Sequence, residues 1–195
     1  MGRLRQATPA FVALIGISII CELAWSAAAV PPLPPNSDGH AVAPAAWPQS
    51  SGAAAWPPQS MIIPVTGVER AALRDSFTAK RKGHIHAAID ILAPRGTPVV
   101  SAADGIVTKL RWSGAGGNTV YINDAQNIEY YYAHLDHYAP QLHEGMPVRR
   151  GDVIAYVGTT GNAPPQTPHL HFGIEQNGAA VDPFPILLAR GRTIR

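Results

Sequence analysis

The chain has 195 residues, a net charge of +2 and only 14% charged residues. That balance gives no basis for nucleic-acid binding or for a polybasic membrane contact. Its 18 glycines and 19 prolines argue against a fold dominated by long helices, and the single cysteine, Cys21, excludes a disulfide within the chain, so a metal site has to be built from His and carboxylate.

The N-terminal segment has the order of an export signal. Arg3 and Arg5 form a positive start, Ala10 to Cys21 an apolar stretch, and Ser26-Ala27-Ala28-Ala29 offers small residues for cleavage. Residues 1–29 are therefore read as a signal peptide, with an uncleaved membrane anchor as the alternative. Glu22 argues against the anchor, because a carboxylate in hydrocarbon is costly. Cys21 suggests lipidation, but the bulky Ile20 before it is a poor fit. Residues 30–60 read as a disordered Pro/Ala/Trp-rich linker. They hold Pro31-Pro32-Leu33-Pro34-Pro35 and an imperfect duplication, Ala45-Ala46-Trp47-Pro48-Gln49-Ser50 followed by Ala54-Ala55-Trp56-Pro57-Pro58-Gln59-Ser60. Such tracts run extended rather than packing a core. A spacer is the plain reading and a partner-binding Pro/Trp motif the sharper one.

From Met61 the texture changes. Ile62, Ile63 and Val65 begin a β-like run interrupted by Pro64. Thr97 to Val100 leads to a turn at Asp104-Gly105. Ile106, Thr108, Leu110 and Trp112 then alternate with Val107, Lys109 and Arg111, which predicts a half-buried strand. Gly114 to Gly117 is a glycine-rich turn. Thr119 to Asn123 and Ile128 to Leu135 read as two strands of a hairpin around Asp124-Ala125-Gln126-Asn127. Val153 to Val157 is a further strand, and Thr159 to Pro168 a loop. Leu170, Phe172 and Ile174 form an apolar face opposite His169 and His171. Only Glu69 to Ser76 and Ile186 to Arg190 look helical. The spacing of strands and turns predicts one all-β domain of about 130 residues, from Met61 to Arg190, with the boundary drawn at 61–195.

Two short stretches carry the chemistry. His86 and Asp90 stand four apart, and His169 and His171 two apart. His and Asp are ligand types for a hydrolytic zinc that keeps one position open. Residues i and i+2 of a strand share a face, so His169 and His171 can converge. Four residues of extended strand span roughly 13 Å, so His86 and Asp90 need a bend between them, and small Ala88 sits where it would fall. His84 makes a second His-x-His with His86, and spacing alone does not choose between them. His134 ends the run Ile128, Tyr130, Tyr132, His134, packing on tyrosines or reaching the same site. His40, His137 and His143 lie in linker or loop contexts and receive no role.

Beyond spacing, the region from Met61 to Arg190 resembles the lysostaphin-type zinc endopeptidases that cut peptide bridges of bacterial peptidoglycan. The matching stretches are Pro64-Val65-Thr66-Gly67, Asp75-Ser76-Phe77, His86-Ala87-Ala88-Ile89-Asp90-Ile91, Ala93-Pro94-Arg95-Gly96-Thr97-Pro98-Val99, Gly105-Ile106-Val107, Tyr132-Ala133-His134-Leu135, Gly158-Thr159-Thr160-Gly161-Asn162 and His169-Leu170-His171-Phe172. They occur in the family's order. The resemblance implies an all-β domain, a mainly antiparallel sheet forming an open groove with few short helices. It implies one Zn2+ per domain on His86, Asp90 and His171, His134 and His169 as the catalytic pair, and His84 as a bystander. It implies peptidoglycan stems or bridges as substrate and an exported, periplasmic or envelope location. One departure is Ala88, where the family motif usually has Gly, which matters only if the backbone there needs a positive φ. Two other readings are a catalytically silent activator of wall enzymes and a zinc-stabilised binding module. The first typically loses ligands, which this chain keeps, and the second has no need of His134.

Overall fold

The computed structural model describes residues 61–81 and 83–190. The signal-peptide and linker readings, residues 1–29 and 30–60, lie outside the described residues. The described region is all-β apart from a single 3-10 turn, Arg70–Ala72, and one terminal helix, α1 (Pro183–Arg190). Its strands are β1 (Lys80–Arg81), β2 (His84–Ile85), β3 (Ile89–Leu92), β4 (Pro98–Val100), β5 (Gly105–Ser113), β6 (Gly117–Asn123), β7 (Glu129–Tyr138), β8 (Pro147–Val148), β9 (Val153–Val157), β10 (His169–Gln176) and β11 (Ala179–Val181).

β1 and β2 form a two-stranded ribbon of their own. The other nine strands join one sheet, ordered β11-β10-β7-β6-β5-β8, with β3 on β10 and the pair β4–β9 attached through β7. Among the described residues the strand pairings are antiparallel throughout. β10 is the strand that matters most for the site, because β3 and β7 flank it.

The elements follow from local chemistry. In β10, Leu170, Phe172 and Ile174 are buried in the core, as alternation predicts. Across the pair, Tyr132 stands opposite Phe172, with ring centroids 5.2 Å apart. The Tyr132 hydroxyl accepts the Ala102 N–H at 2.9 Å, so its polar end is satisfied in the core. The predicted hairpin joins β6 and β7. Its turn is held by Asp124, whose Oδ1 accepts the N–H groups of Gln126 and Ile128, both at 2.9 Å, an Asx turn that closes the loop locally.

Four expectations change. In β5, the expected apolar set Ile106, Thr108, Leu110, Trp112 does not face inward as one row: Ile106 is 46% and Trp112 65% exposed, while Val107 is fully buried. The β5–β6 register shifts between Val107 and Lys109, and this bulge switches the strand's parity. The run Ile62, Ile63, Val65 is buried but forms no continuous strand: Ile62 and Val65 are isolated bridge positions, Val65 paired with Val99, and Pro64 between them has no N–H to extend a ladder. The helical reading of Glu69 to Ser76 shrinks to the 3-10 turn, and the chain from Leu73 onward runs on towards the site. At the other end, α1 begins three residues earlier than the helical reading of Ile186 to Arg190.

Candidate metal centre and histidine pair

Register alone sets Asp90 and His171 side by side. On β10, His171 is the direct partner of Asp90 on β3 and of Ala133 on β7. His86 precedes β3, and the chain between it and Asp90 is bent. Ala87 adopts a left-handed φ of 56°. His86 N–H and Ala87 N–H donate to the carbonyls of Ala79 and Phe77, both at 2.9 Å, which folds this segment back on itself. Ala88 is not in the left-handed region and is buried among core residues, so Ala in place of the family's usual Gly introduces no backbone strain.

Three donor atoms meet as a result. His86 Nε2 lies 2.9 Å from His171 Nδ1 and 3.0 Å from Asp90 Oδ1, and His171 Nδ1 lies 3.2 Å from that oxygen. Ligands of a tetrahedral zinc at 2.0–2.1 Å stand about 3.3–3.4 Å apart. The triangle is within a few tenths of an ångström of one face of that tetrahedron. The donor set of two imidazoles and a carboxylate therefore fits zinc with a fourth position left over.

The ring nitrogens can be assigned by what they touch. A carbonyl only accepts, so a ring nitrogen facing one carries the proton. His86 Nδ1 donates to Ser76 O at 3.0 Å, which leaves Nε2 bare towards the triangle. Ser76 acts twice, since its Oγ also accepts the Asp90 N–H at 3.1 Å. This is the outer-shell support that orients metal-binding groups. Burial by itself would raise the Asp90 carboxyl, but the hydrogen bonds with His171 and His86 outweigh it and hold the group well below the usual carboxylate range. Arg81, from the β1–β2 ribbon, meets the other oxygen, Oδ2, at 2.8 Å. Burial lowers the His171 imidazole, which keeps it neutral as a ligand must be.

His134 and His169 stand beside this triangle. Their ring centroids are 5.0 Å apart, and His134 is 5.6 Å from the His171 ring. His169 Nε2 is 3.7 Å from Asp90 Oδ1. His134 Nδ1 donates to Thr160 O at 2.9 Å and His169 Nδ1 to Thr167 O at 2.8 Å, so in both rings Nε2 is the free nitrogen. Both side chains are buried, 7% exposed. Burial pushes the His134 imidazole down to about 4, although its bond to Thr160 acts the other way. His134 also has a left-handed backbone, φ 61°, at a point where the β6–β7 register shifts. Non-glycine residues in such conformations cost on the order of 1–3 kcal/mol and are held by their surroundings. Here the His134 N–H donates to Gly116 O at 2.7 Å.

The structure thus brings together His86, Asp90, His171, His134 and His169. His84 lies on the exposed β1–β2 ribbon, outside the triangle. His137 stacks on Tyr156 with centroids 4.5 Å apart, away from that cluster of donors. Ser76 and Thr160 lay in family-like stretches without an assigned role, and Thr167 and Arg81 carried no signal in the sequence. Three of them contribute a main-chain carbonyl, which any residue has, and Arg81 reaches the site only through a ribbon whose pairing spacing does not reveal.

Residues 84–183 match the model of peptidase family M23, and the chain belongs to that family. It is 42% identical over 104 residues to the DD-carboxypeptidase/endopeptidase Mpg of Neisseria meningitidis serogroup B, covering 53% of this chain and 23% of that protein. It is 32% identical over 109 residues to the peptidoglycan DD-endopeptidase ShyC of Vibrio cholerae, covering 56% of this chain and 24% of that one. The chain thus spans about a quarter of the length of these curated relatives. Among solved structures, the catalytic domain of the antimicrobial peptidase lysostaphin from Staphylococcus simulans superposes with a TM-score of 0.52 at 28% identity, covering 59% of this chain and 90% of that chain. The all-β, lysostaphin-type architecture expected from the motifs is the one found.

Proposed function

We propose that this chain is an exported zinc metalloendopeptidase that hydrolyses peptide cross-links of bacterial peptidoglycan. The observation that carries the reading is the donor triangle of His86, Asp90 and His171 with two free imidazole nitrogens, on His134 and His169, beside it. The similar peptidoglycan DD-endopeptidase ShyC supports the substrate class.

A zinc ion on these three residues would lower the pKa of a water it binds from about 15.7 to roughly 7 and would polarise a carbonyl. The remaining chemistry belongs to the histidine pair. Hydrolysis of a peptide bond needs a proton taken from water and a proton given to the leaving amine. Each ring has Nδ1–H committed to a carbonyl, so Nε2 is the atom that exchanges the proton. Burial keeps His134 neutral at ordinary pH, as a base must be. The hydrogen bonds to Thr160 and Thr167 fix both rings, so neither has to be oriented during the reaction. Export follows from the order of Arg3 and Arg5, the apolar stretch and the small residues before Val30. Residues 61–195 are read as the peptidase domain.

The test is zinc content together with mass-spectrometric analysis of defined muropeptides digested by wild-type, His134→Ala and His169→Ala proteins. We expect stoichiometric zinc in all three and cleavage by the wild type alone. A zinc-loaded wild type that leaves every cross-linked muropeptide intact refutes the peptidase reading. A His86→Ala protein assayed alongside should lose zinc; loss of zinc in His169→Ala with retention in His86→Ala refutes the division of roles.

A further inference from the structure

At the bulge of β7 the β6–β7 ladder is interrupted, and one side chain bridges the gap. Asn118 pairs with Leu135, and the next paired positions are Val120 with Tyr132, so one residue of β6 spans two of β7. In a regular ladder, main-chain N–H would meet main-chain carbonyl directly. Here the Asn118 N–H donates to Thr160 Oγ1 at 3.0 Å, and the Thr160 hydroxyl donates onward to Leu135 O at 2.7 Å. A hydroxyl from a distant loop has been inserted as a relay between two strands. The Asn118 amide adds bonds from Nδ2 to Leu135 O, 3.2 Å, and Asp136 O, 3.0 Å.

The same residue presents its main-chain carbonyl to the site. Thr160 O accepts His134 Nδ1–H at 2.9 Å. Thr160 therefore holds β7 with its side chain on one side of His134 and the imidazole itself with its backbone. The loop reaches this position because two bare α-carbons let it in. A Cβ on Gly117 would run into Thr160 Oγ1 and its carbonyl carbon and would lie 2.6 Å from Gly161 N. A Cβ on Gly161 would run into Gly117 N and Ala115 O. Gly117 and Gly161 also have φ of 64° and 73°, where a side chain is strained. The Asn162 N–H to Ala115 O bond, 3.0 Å, closes the far side.

We propose that Thr160 is the positioning residue of the His134 imidazole: its hydroxyl locks the loop to the bulge, and the locked loop fixes which ring nitrogen of His134 faces the metal centre. This rests on His134 acting in catalysis as proposed above. Removing the hydroxyl strands the Asn118 N–H and frees the loop, and the carbonyl that selects the His134 tautomer loses its place. A misplacement of about 1 Å costs about 100-fold in turnover. The three donors of the metal triangle lie on β10, on β3 and in the bend before β3, and none is on β7 or the Thr160 loop.

The test uses the zinc-loaded full chain with Thr160→Val, which keeps the shape without the hydroxyl, and Thr160→Ser, which keeps the hydroxyl. We expect Thr160→Val to lose about 100-fold in kcat on a defined muropeptide with KM and zinc affinity unchanged. Thr160→Ser should remain close to wild type. Nitrogen-15 correlation spectra of the histidine rings should show His134 protonated at Nδ1 in wild type and Thr160→Ser, and redistributed between tautomers in Thr160→Val. If Thr160→Val does not fold, Thr160→Ala removes the same hydroxyl and takes the same readouts. Unchanged kcat and an unchanged His134 tautomer in the hydroxyl-less protein overturn the proposal. So does a loss of zinc affinity in step with kcat, or a Thr160→Ser protein as poor as Thr160→Val. A wild type without turnover counts against the peptidase reading, and the tautomer comparison then decides the clamp.

Discussion

Replacing Gly158 by Ala adds one methyl group at the junction between the histidine strand and the loop before β10. Gly158 bridges to His169, and its α-carbon faces the backbone of β7. A Cβ there would run into Asp136 N, and would lie 2.7 Å from Asp136 Cα and 2.8 Å from His134 O. All three are main-chain atoms, so no flexible side-chain tip can yield. Gly158 is not among the positive-φ glycines, so the cost is overlap rather than torsional strain. Overpacking of this kind costs about 1–3 kcal/mol. For a domain of about 130 residues, 1 kcal/mol corresponds to about 4 °C in Tm, so the expected loss is about 4–12 °C. The structure can relieve the overlap only by moving the β7 segment from His134 to Asp136 away from β9 and β10. Turnover should therefore fall by about 100-fold along with Tm. Calorimetry of the zinc-loaded protein and a muropeptide assay well below the new Tm measure the two effects separately. A Tm within about 1 °C of wild type, far inside the range that overpacking sets, would refute the packing argument. A lowered Tm with full turnover would refute the link to His134.

Other positions give sharper contrasts. His86→Ala should abolish zinc binding, while His84→Ala, on the exposed ribbon, should leave it intact; a competition titration with a chromophoric chelator distinguishes them. Ala88→Gly restores the family's usual residue but should lower stability by about 1 kcal/mol, because a buried methyl is lost and the unfolded backbone gains freedom; zinc affinity should not change, and denaturant titration reads the difference. Burial raises the phenols of Tyr130, Tyr131 and Tyr132 above their ordinary range. An acid whose folded pKa is raised keeps its proton in the fold while the unfolded chain releases it. Stability is then full below about pH 10, the ordinary Tyr value, and falls as pH rises past it. An alkaline titration should show phenolate absorbance from these three only as the fold is lost, and their titration near pH 10 in the intact fold would contradict the burial.

Sequence patterning gave β6, β7, β9 and β10 because each is governed by short-range rules. Alternation placed Leu170, Phe172 and Ile174 inward, and Asp124 marked its turn through its own side chain. It misjudged β5 because a bulge is decided by the partner strand, and Ile106 and Trp112 carry no trace of that partner. It overextended the helix at Glu69 because residues past Leu73 are recruited elsewhere, Ser76 to His86 and Asp90. The bend between His86 and Asp90 was legible from distance alone, and its left-handed residue is Ala87, one position before Ala88, where the bend was expected. The convergence of His171, Asp90 and His134 was not, since it depends on β10 lying between β3 and β7. The ordered resemblance supplied those names without the register that explains them.

The two histidines of the donor triangle are 85 positions apart in the chain. A peptide around His86 and Asp90 holds two of the three donors and acquires the third only when β10 has docked on β3. Metal affinity at this triangle would therefore be a property of the completed sheet, and occupancy would read out folding. By mass action, an ion that binds only the folded chain stabilises it by about 2.7 kcal/mol at one hundred times its Kd. That is roughly a hundredfold fewer unfolded molecules at equilibrium. A metal held by the triangle would also act as a closing clasp on the β3–β10 pairing, the longest-range strand pairing among the described residues, so metal scarcity would weaken the fold as well as the proposed chemistry.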